Sequence, residues 1–415
     1  MHHFIYATKD AWISSGSNVA TTGISQKDQN YGKDPILELK KFYYNDSFDH
    51  ETRILVSFAG DAFNEMSNSV SHSGMSSAQL SSSIPHVSTG LTKYYLRLYE
   101  ADGTQELSSD YEIQAFPVSQ SWEEGTGKFG DNPKVTTGVS WENRSNNPGV
   151  PAVSWSRVHP ADGSDVRLHG GNYMTGSYND NPNGPSSSYE ASQSFSNQSP
   201  DIEMDITNIV DSWLVGSASN NGLLLRFSGS LAHTNGQILN DTAGITGSFA
   251  QLKFFSSDTH TIYPPKLEVR WDDHLACSGS NTGSMIPLTG SGQADNYLYM
   301  IDFKDRYKEN EKVKFRVGAR KRYIQKSFST SLHNVSSSFI PENSGGYSIV
   351  DIATGESIVP FSSYTSMSCD DKSNYFIQWL DGFAPDRTYK ILYKIKYDDG
   401  QEQIYDNDFE FIVTR

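Results

Sequence analysis

A chain of 415 residues exceeds what one ordinary hydrophobic core organises, so two domains are expected. The formal net charge of −16 argues against a general phosphate-binding surface, which depends on clustered Lys and Arg, and so against a nucleic-acid partner. No apolar run approaches the roughly 18 residues of a membrane-spanning helix, so a membrane span is excluded and no membrane partner is expected. Aromatics make up 12% of residues and charged residues 20%, with Ser, Gly, Asn, Thr and Tyr abundant, a mixture that favours short strands over helices. Cys277 and Cys369 are the two cysteines; free thiols of a chain folded in reducing cytoplasm are the favoured expectation, with a bridge between them as the alternative, since sequence does not show whether their Cα atoms approach. The opening MHHFIYATKDAW lacks the cationic start, apolar core and cleavage site of a secretory signal.

Taken in order, TKDAWISSGSN, the turn-rich NYGKDP, ILELKKFYY and RILVSF read as strands punctuated by Ser, Gly, Asn and Pro. The Ser-rich SNSVSHSGMSSAQLSSSIP that follows is expected as a surface excursion. LTKYYLRLYEAD and YEIQAFPV resume the sheet. Two Trp-anchored segments come next, SWEEGTG with Trp122 and VSWENR with Trp141. Aromatic faces stack on sugars and paired acids hydrolyse glycosidic bonds, so Glu123 and Glu124 are candidate carboxylates. Adjacent residues of a strand point to opposite faces, however, and a structural role for both Trp residues is the stronger reading.

Over 201–227, DIEMDITNIVDSWLVGSASNNGLLLRF, the residues Ile202, Met204 and Ile206 alternate with acids as in a strand with one buried face. Thr207 is expected to cap a brief helix that tucks Trp213 inward and ends at Gly216. Asn220-Asn221-Gly222 then turns the chain into LLLRF, an apolar run suited to burial on both sides.

These segments, together with TRILVSF, YYLRLY and the closing FFSSDTHTIYPPKLEVRW, resemble in their order the DNRLRE-type β-sandwich domains of bacterial surface proteins and phage structural proteins. The resemblance covers about the first 274 residues. It implies a jelly-roll-like sandwich that binds or scaffolds, and it carries no catalytic set.

The small, polar stretch 275–294 reads as a linker. Beyond it, 295–415 supplies a second antiparallel set, including a hairpin through KIKYDDGQEQIYD. FAPDRTY resembles the tyrosine corner of immunoglobulin-like and fibronectin-like sandwiches, with Tyr389 as the corner residue. ARKRYIQK is the one basic cluster and is expected as a strand edge that resists pairing.

The histidines form no HExxH, and His159, His169, His233 and His260 scatter among expected loops. Asn179, Asn181, Asn183 and Glu190 approximate the spacing of a calcium loop, although Asn stands where Asp is expected first. No other cofactor is expected. The sequence thus points to an all-β protein, a jelly-roll-like β-sandwich over 1–274 and an immunoglobulin/fibronectin-like β-sandwich over 295–415. The expected role is a non-enzymatic structural component of a tailed-bacteriophage virion, at head, neck or tail, assembled in host cytoplasm against other virion proteins in several copies. The alternative is a carbohydrate-binding module that recognises cell-surface glycan through exposed Trp and Tyr.

Overall fold

The computed structural model describes residues 1–18, 24–44, 48–60, 92–102, 110–158, 165–167, 169–174, 189–196, 201–216, 218–228, 250–277, 280–289, 295–323, 328, 330, 336–397 and 399–415. The Ser-rich stretch 67–85 lies outside them. The described chain is all-β and sandwich-like, with one nine-residue helix, Thr207–Val215. It divides into two units, Ile5–Glu268 and Met1–Phe4 with Val269–Arg415.

In the first unit a seven-stranded sheet runs Ala191–Ser196, Asp110–Pro117, Leu223–Phe227, Phe48–Ser57, Ile36–Tyr44 and Ala250–Phe255, with Lys9–Ser14 also paired to Phe48–Ser57. In its second sheet Thr92–Leu98 pairs with Ile202–Asp205. Leu223–Phe227 is central because its sequence permits it. Leu223, Leu224 and Leu225 are each 0% exposed, and the strand pairs with Phe48–Ser57 on one side and Asp110–Pro117 on the other. Each such leucine contributes about 1.5–3 kcal/mol of burial. Ile202–Asp205 alternates buried and exposed as its sequence dictates.

The helix departs from expectation at its start. Its N-cap is Ile206, without a side-chain cap, and Thr207 serves instead as the first helical residue. The Thr207 hydroxyl accepts from the Tyr94 amide at 3.0 Å and donates to Asp205, while Asp205 Oδ1 accepts the Thr207 amide at 3.0 Å. A neighbouring strand and an Asx turn thus take the hydroxyl that would have capped. The helix ends at Gly216 in the left-handed conformation, and Trp213 is half-buried against Met174, Tyr189 and Ala218.

The second unit also has two sheets. One runs Ile286–Pro287, Ser338–Phe339, Lys312–Lys321, Asn374–Trp379 and Ser368–Cys369, with Asn296–Ile301 on Lys312–Lys321. The other runs Arg306–Lys308, Glu402–Thr414, Arg387–Lys396, Gly345–Asp351 and Ser357–Val359. Their core is aromatic, with Tyr347 stacked on Phe376 at 3.7 Å between ring centroids. The described part of the basic cluster, Arg320 and Lys321, ends the strand Lys312–Lys321 and pairs on one side with Tyr297 and Asn296, while the pairings on the other side take in Lys312–Val317 and Ala319. Which strand covers which is a long-range fact that composition does not carry.

The stretch expected as a linker is fastened to this unit. Ile286–Pro287 pairs with Ser338–Phe339, and the Cys277 amide donates to Glu342 at 2.7 Å. Cys277 and Cys369 are not free thiols but a disulfide, with Cα atoms 5.1 Å apart. The bridge, the less favoured of the two expectations, forms because the fold brings together Cα atoms whose approach spacing along the chain does not reveal.

Tyr389 makes the contact of a tyrosine corner, its hydroxyl donating to the Ala384 carbonyl at 3.0 Å. Tyr389→Phe is expected to lower stability by about 1–1.5 kcal/mol, read as a shift of the urea midpoint with unchanged slope. Two carboxylates of this unit make it acid-sensitive. Burial opposes ionisation of Asp351, yet Arg387 at 2.5 Å and the Ala353 amide at 2.8 Å outweigh it and hold its pKa below the usual range. Asp370 behaves alike. Partial burial is overcome by a bidentate Arg316 at 2.7 and 3.0 Å and by the Lys372 and Ser373 amides, which hold it well below the usual range. A depressed folded pKa gives stability that is complete above the unfolded value near 3.9 and is lost as pH falls through the folded value. The urea midpoint should therefore drop between about pH 4 and pH 2. Arg316→Met should flatten that slope, and an unaltered slope would remove Asp370 as its source.

Candidate functional site

The NYGKDP turn and the SWEEGTG segment meet in the first unit, and Asn30 is the group that joins them. It is 0% exposed. Its Nδ2 donates to the Glu124 carbonyl at 2.7 Å and the Val139 carbonyl at 2.8 Å, while its Oδ1 accepts the Gly127 amide at 2.8 Å and the Gly32 amide at 3.1 Å. Both donors and both lone pairs of the amide are used. Such close backbone contact requires glycine: a Cβ on Gly32 would fall 1.9 Å from the Glu124 carbonyl oxygen, and Gly125 has φ of 85°. Beside this hub, Trp12 stacks on Tyr31 at 3.7 Å and donates through Nε1 to Asp34 at 3.1 Å. Burial pushes the Asp34 carboxyl up, against the hydrogen bonds it accepts from Trp12 and the Ile36 and Phe129 amides.

Fixing this loop aims Glu124 at the strand Lys9–Ser14. Glu124 Oε1 accepts the Asp10 amide at 3.1 Å, and Oε2 pairs with Lys33 Nζ at 2.5 Å. Lys33 also reaches Asp258 Oδ2 at 3.4 Å, in the turn that follows Ala250–Phe255. Asp10 is 1% exposed, and its Oδ2 accepts the Ser257 amide at 2.7 Å. Its Oδ1 is buried without a hydrogen-bond partner. One ligand atom from each of Asp10, Glu124 and Asp258 lies within 4.8 Å of the others. Burial pushes the Asp10 carboxyl up to about 7, helped by the negative charges of Glu124 and Asp258 and resisted by the Ser257 amide. Chemically this is an all-oxygen anionic cluster, partly neutralised by one lysine.

The Trp segments are not platforms. Trp122 is 2% exposed and Trp141 1%. Trp122 donates to the Asn221 carbonyl at 2.8 Å and lies under Lys9 Nζ at 4.4 Å. Trp141 packs under the fully buried Arg53 guanidinium at 4.8 Å, and Arg53 in turn pairs with Glu51 and donates to the Gly170 carbonyl at 2.6 Å. Glu123 is exposed and accepts from Asn147 at 2.7 Å, whereas Glu124 turns the other way, so the two acids do not converge. Asn179, Asn181 and Asn183 lie outside the described residues, as do His159 and His233; Glu190 accepts from Gln114, and His169 and His260 are exposed. Thr207, Trp213 and Tyr389 lie apart from the cluster in structural roles.

Asp10, Lys33 and Asp258 have no signature along the sequence, because hydrogen bonds from their neighbourhoods span 114 and 247 positions. The one local signal is an acid inside TKDAWIS, a strand otherwise buried along nearly its whole length.

No family matches the sequence, and no curated protein matches it either. Among solved structures, the adhesin domain of Epf from Streptococcus pyogenes aligns over 98% of this chain and 91% of that chain, at 8% identity and a TM-score of 0.15. A TM-score of that size carries no argument about fold or function.

Proposed function

We propose that the protein is a non-enzymatic structural component of a tailed-bacteriophage particle, a DNRLRE-type jelly roll followed by an immunoglobulin-like sandwich, present in several copies and acting through protein contacts. The observation that carries this reading is the internal use of the residues that would otherwise suggest sugar chemistry. Trp122 and Trp141 are buried, and Glu124 is tied to the Asp10 amide and Lys33, so contact falls to outer faces and loops. The Cys277–Cys369 bridge supports a final location outside reducing cytoplasm, and particle surfaces are such a place. The phage assignment itself draws on the sequence resemblance. Quantitative mass spectrometry and cryo-electron microscopy of purified particles test it. Fixed stoichiometry on the particle is the expected result; recovery only in a soluble secreted fraction would end the proposal.

A second reading, glycan adhesion, draws on the second unit. Tyr297, 39% exposed, lies nearly parallel to Tyr299 with centroids 6.2 Å apart, and Arg320 sits 4.8 Å over Tyr297. Exposed rings beside guanidinium groups suit an acidic polysaccharide. A glycan array with the intact chain and with Tyr297→Ala/Tyr299→Ala decides it, and equal signals from both proteins would dismiss the patch.

A further inference from the structure

We propose that Asp10, Glu124 and Asp258 form a calcium site, with Lys33 as the internal cation that occupies its mouth when no metal is bound. Three observations lead there independently of the phage reading.

The first is the unsatisfied oxygen. Buried polar atoms are almost always paired, and Asp10 Oδ1, on a side chain 1% exposed, is not. Lys33 Nζ contacts Glu124 and Asp258 but leaves this oxygen without a donor. A bound cation would satisfy it.

The second is the size and chemistry of the cluster. Calcium holds oxygens at about 2.3–2.6 Å in flexible geometry, so ligands across the ion stand about 5 Å apart. Ligand atoms that all lie within 4.8 Å of one another are close enough to share such an ion. Magnesium demands near-ideal octahedral geometry and sheds its water reluctantly, so a cluster of three carboxylates suits calcium better. The donors are carboxylates alone, without imidazole or thiolate, which suits a hard cation rather than zinc or copper.

The third is charge. Three carboxylates face one close ammonium, and once that ammonium moves outward a divalent ion offsets most of their charge. The Lys33 side chain is 38% exposed, so it can move outward while its stem stays anchored. The remaining coordination positions would be filled by water, as is usual for calcium.

The three ligands come from the first strand of the large sheet, the loop held by Asn30, and the turn after Ala250–Phe255. A bound ion would tie together segments far apart in sequence, so binding must appear as stability. Isothermal titration of EDTA-treated, full-length protein with CaCl2 should give one site per chain, and about 10 mM CaCl2 should raise the melting temperature. Asp10→Asn and Asp258→Asn should each weaken binding about tenfold or more. Asp258 is 30% exposed, so its variant leaves the core intact even if the Asp10 variant folds poorly. Lys33→Met should keep or strengthen binding. Glu190→Gln, at the separate calcium-like loop, should leave it unchanged. Absence of heat and of any melting shift at about 10 mM CaCl2 would overturn the site, as would binding that survives in Asp258→Asn or disappears in Glu190→Gln.

Discussion

Asn30→Ala is expected to destabilise the first unit by about 4 kcal/mol, the largest effect of any single side chain in the loop cluster. The amide has no water to fall back on, being 0% exposed. Its removal strands the Glu124 and Val139 carbonyls and the Gly32 and Gly127 amides, and each buried group left unpaired costs about 1–3 kcal/mol before relaxation. Asn30→Asp separates the two halves of the effect, since it keeps an acceptor for the glycine amides but loses both donors and adds a buried charge. Urea unfolding followed by tryptophan fluorescence gives the number, because Trp12 and Trp122 flank the hub. A loss under about 1 kcal/mol for Asn30→Ala would show that the loops hold without it. The consequence extends to the carboxylate cluster. Glu124 is aimed by the loop whose backbone Asn30 fixes, so the variant should also weaken calcium binding without touching a ligand.

Local order in the sequence carried much of this fold. Ile202, Met204 and the LLLRF run announced one strand buried on one face and another buried on both, and the structure has both. Gly216 and Gly222 marked a helix end and a turn through positive φ, a property of the residue itself. Tyr389 was legible because a tyrosine corner closes within five residues. What failed was whatever depended on partners distant in sequence. Thr207 looks like a cap until the Tyr94 amide competes for its hydroxyl. Asp10, Glu124 and Asp258 are the extreme case, since three acids on three segments share no period, motif or spacing. Asn30 was visible only as part of a turn; its four bonds to distant backbone could not be read from NYG alone.

Replacing Cys277 and Cys369 by serine is expected to cost the second unit about 4 kcal/mol, because the bridge closes a loop of sequence separation 92 and the unfolded chain regains that freedom. The effect should be confined to that unit. Lys312–Lys321, Asn374–Trp379 and their core lie inside or beside the closed loop, whereas the first unit is built from Ile5–Glu268. Hydrogen exchange of the oxidised protein and the double serine variant distinguishes the two, with faster exchange expected in Val269–Arg415 and little change elsewhere. Thiol titration of the native protein supplies the prior check. No reactive thiol should be found until a reductant is added, and two reactive thiols would remove both the stabilisation and its bearing on location. The link is not redundant with noncovalent packing. Cys277 lies in a stretch of small polar residues that contributes little to the core, held near Cys369 by the Glu342 acceptor and by pairing of Ile286–Pro287. Without the bridge that stretch would keep only noncovalent contacts, among them these and the Leu275 amide on Ser368, so the second unit should reach full stability only once the bridge has formed.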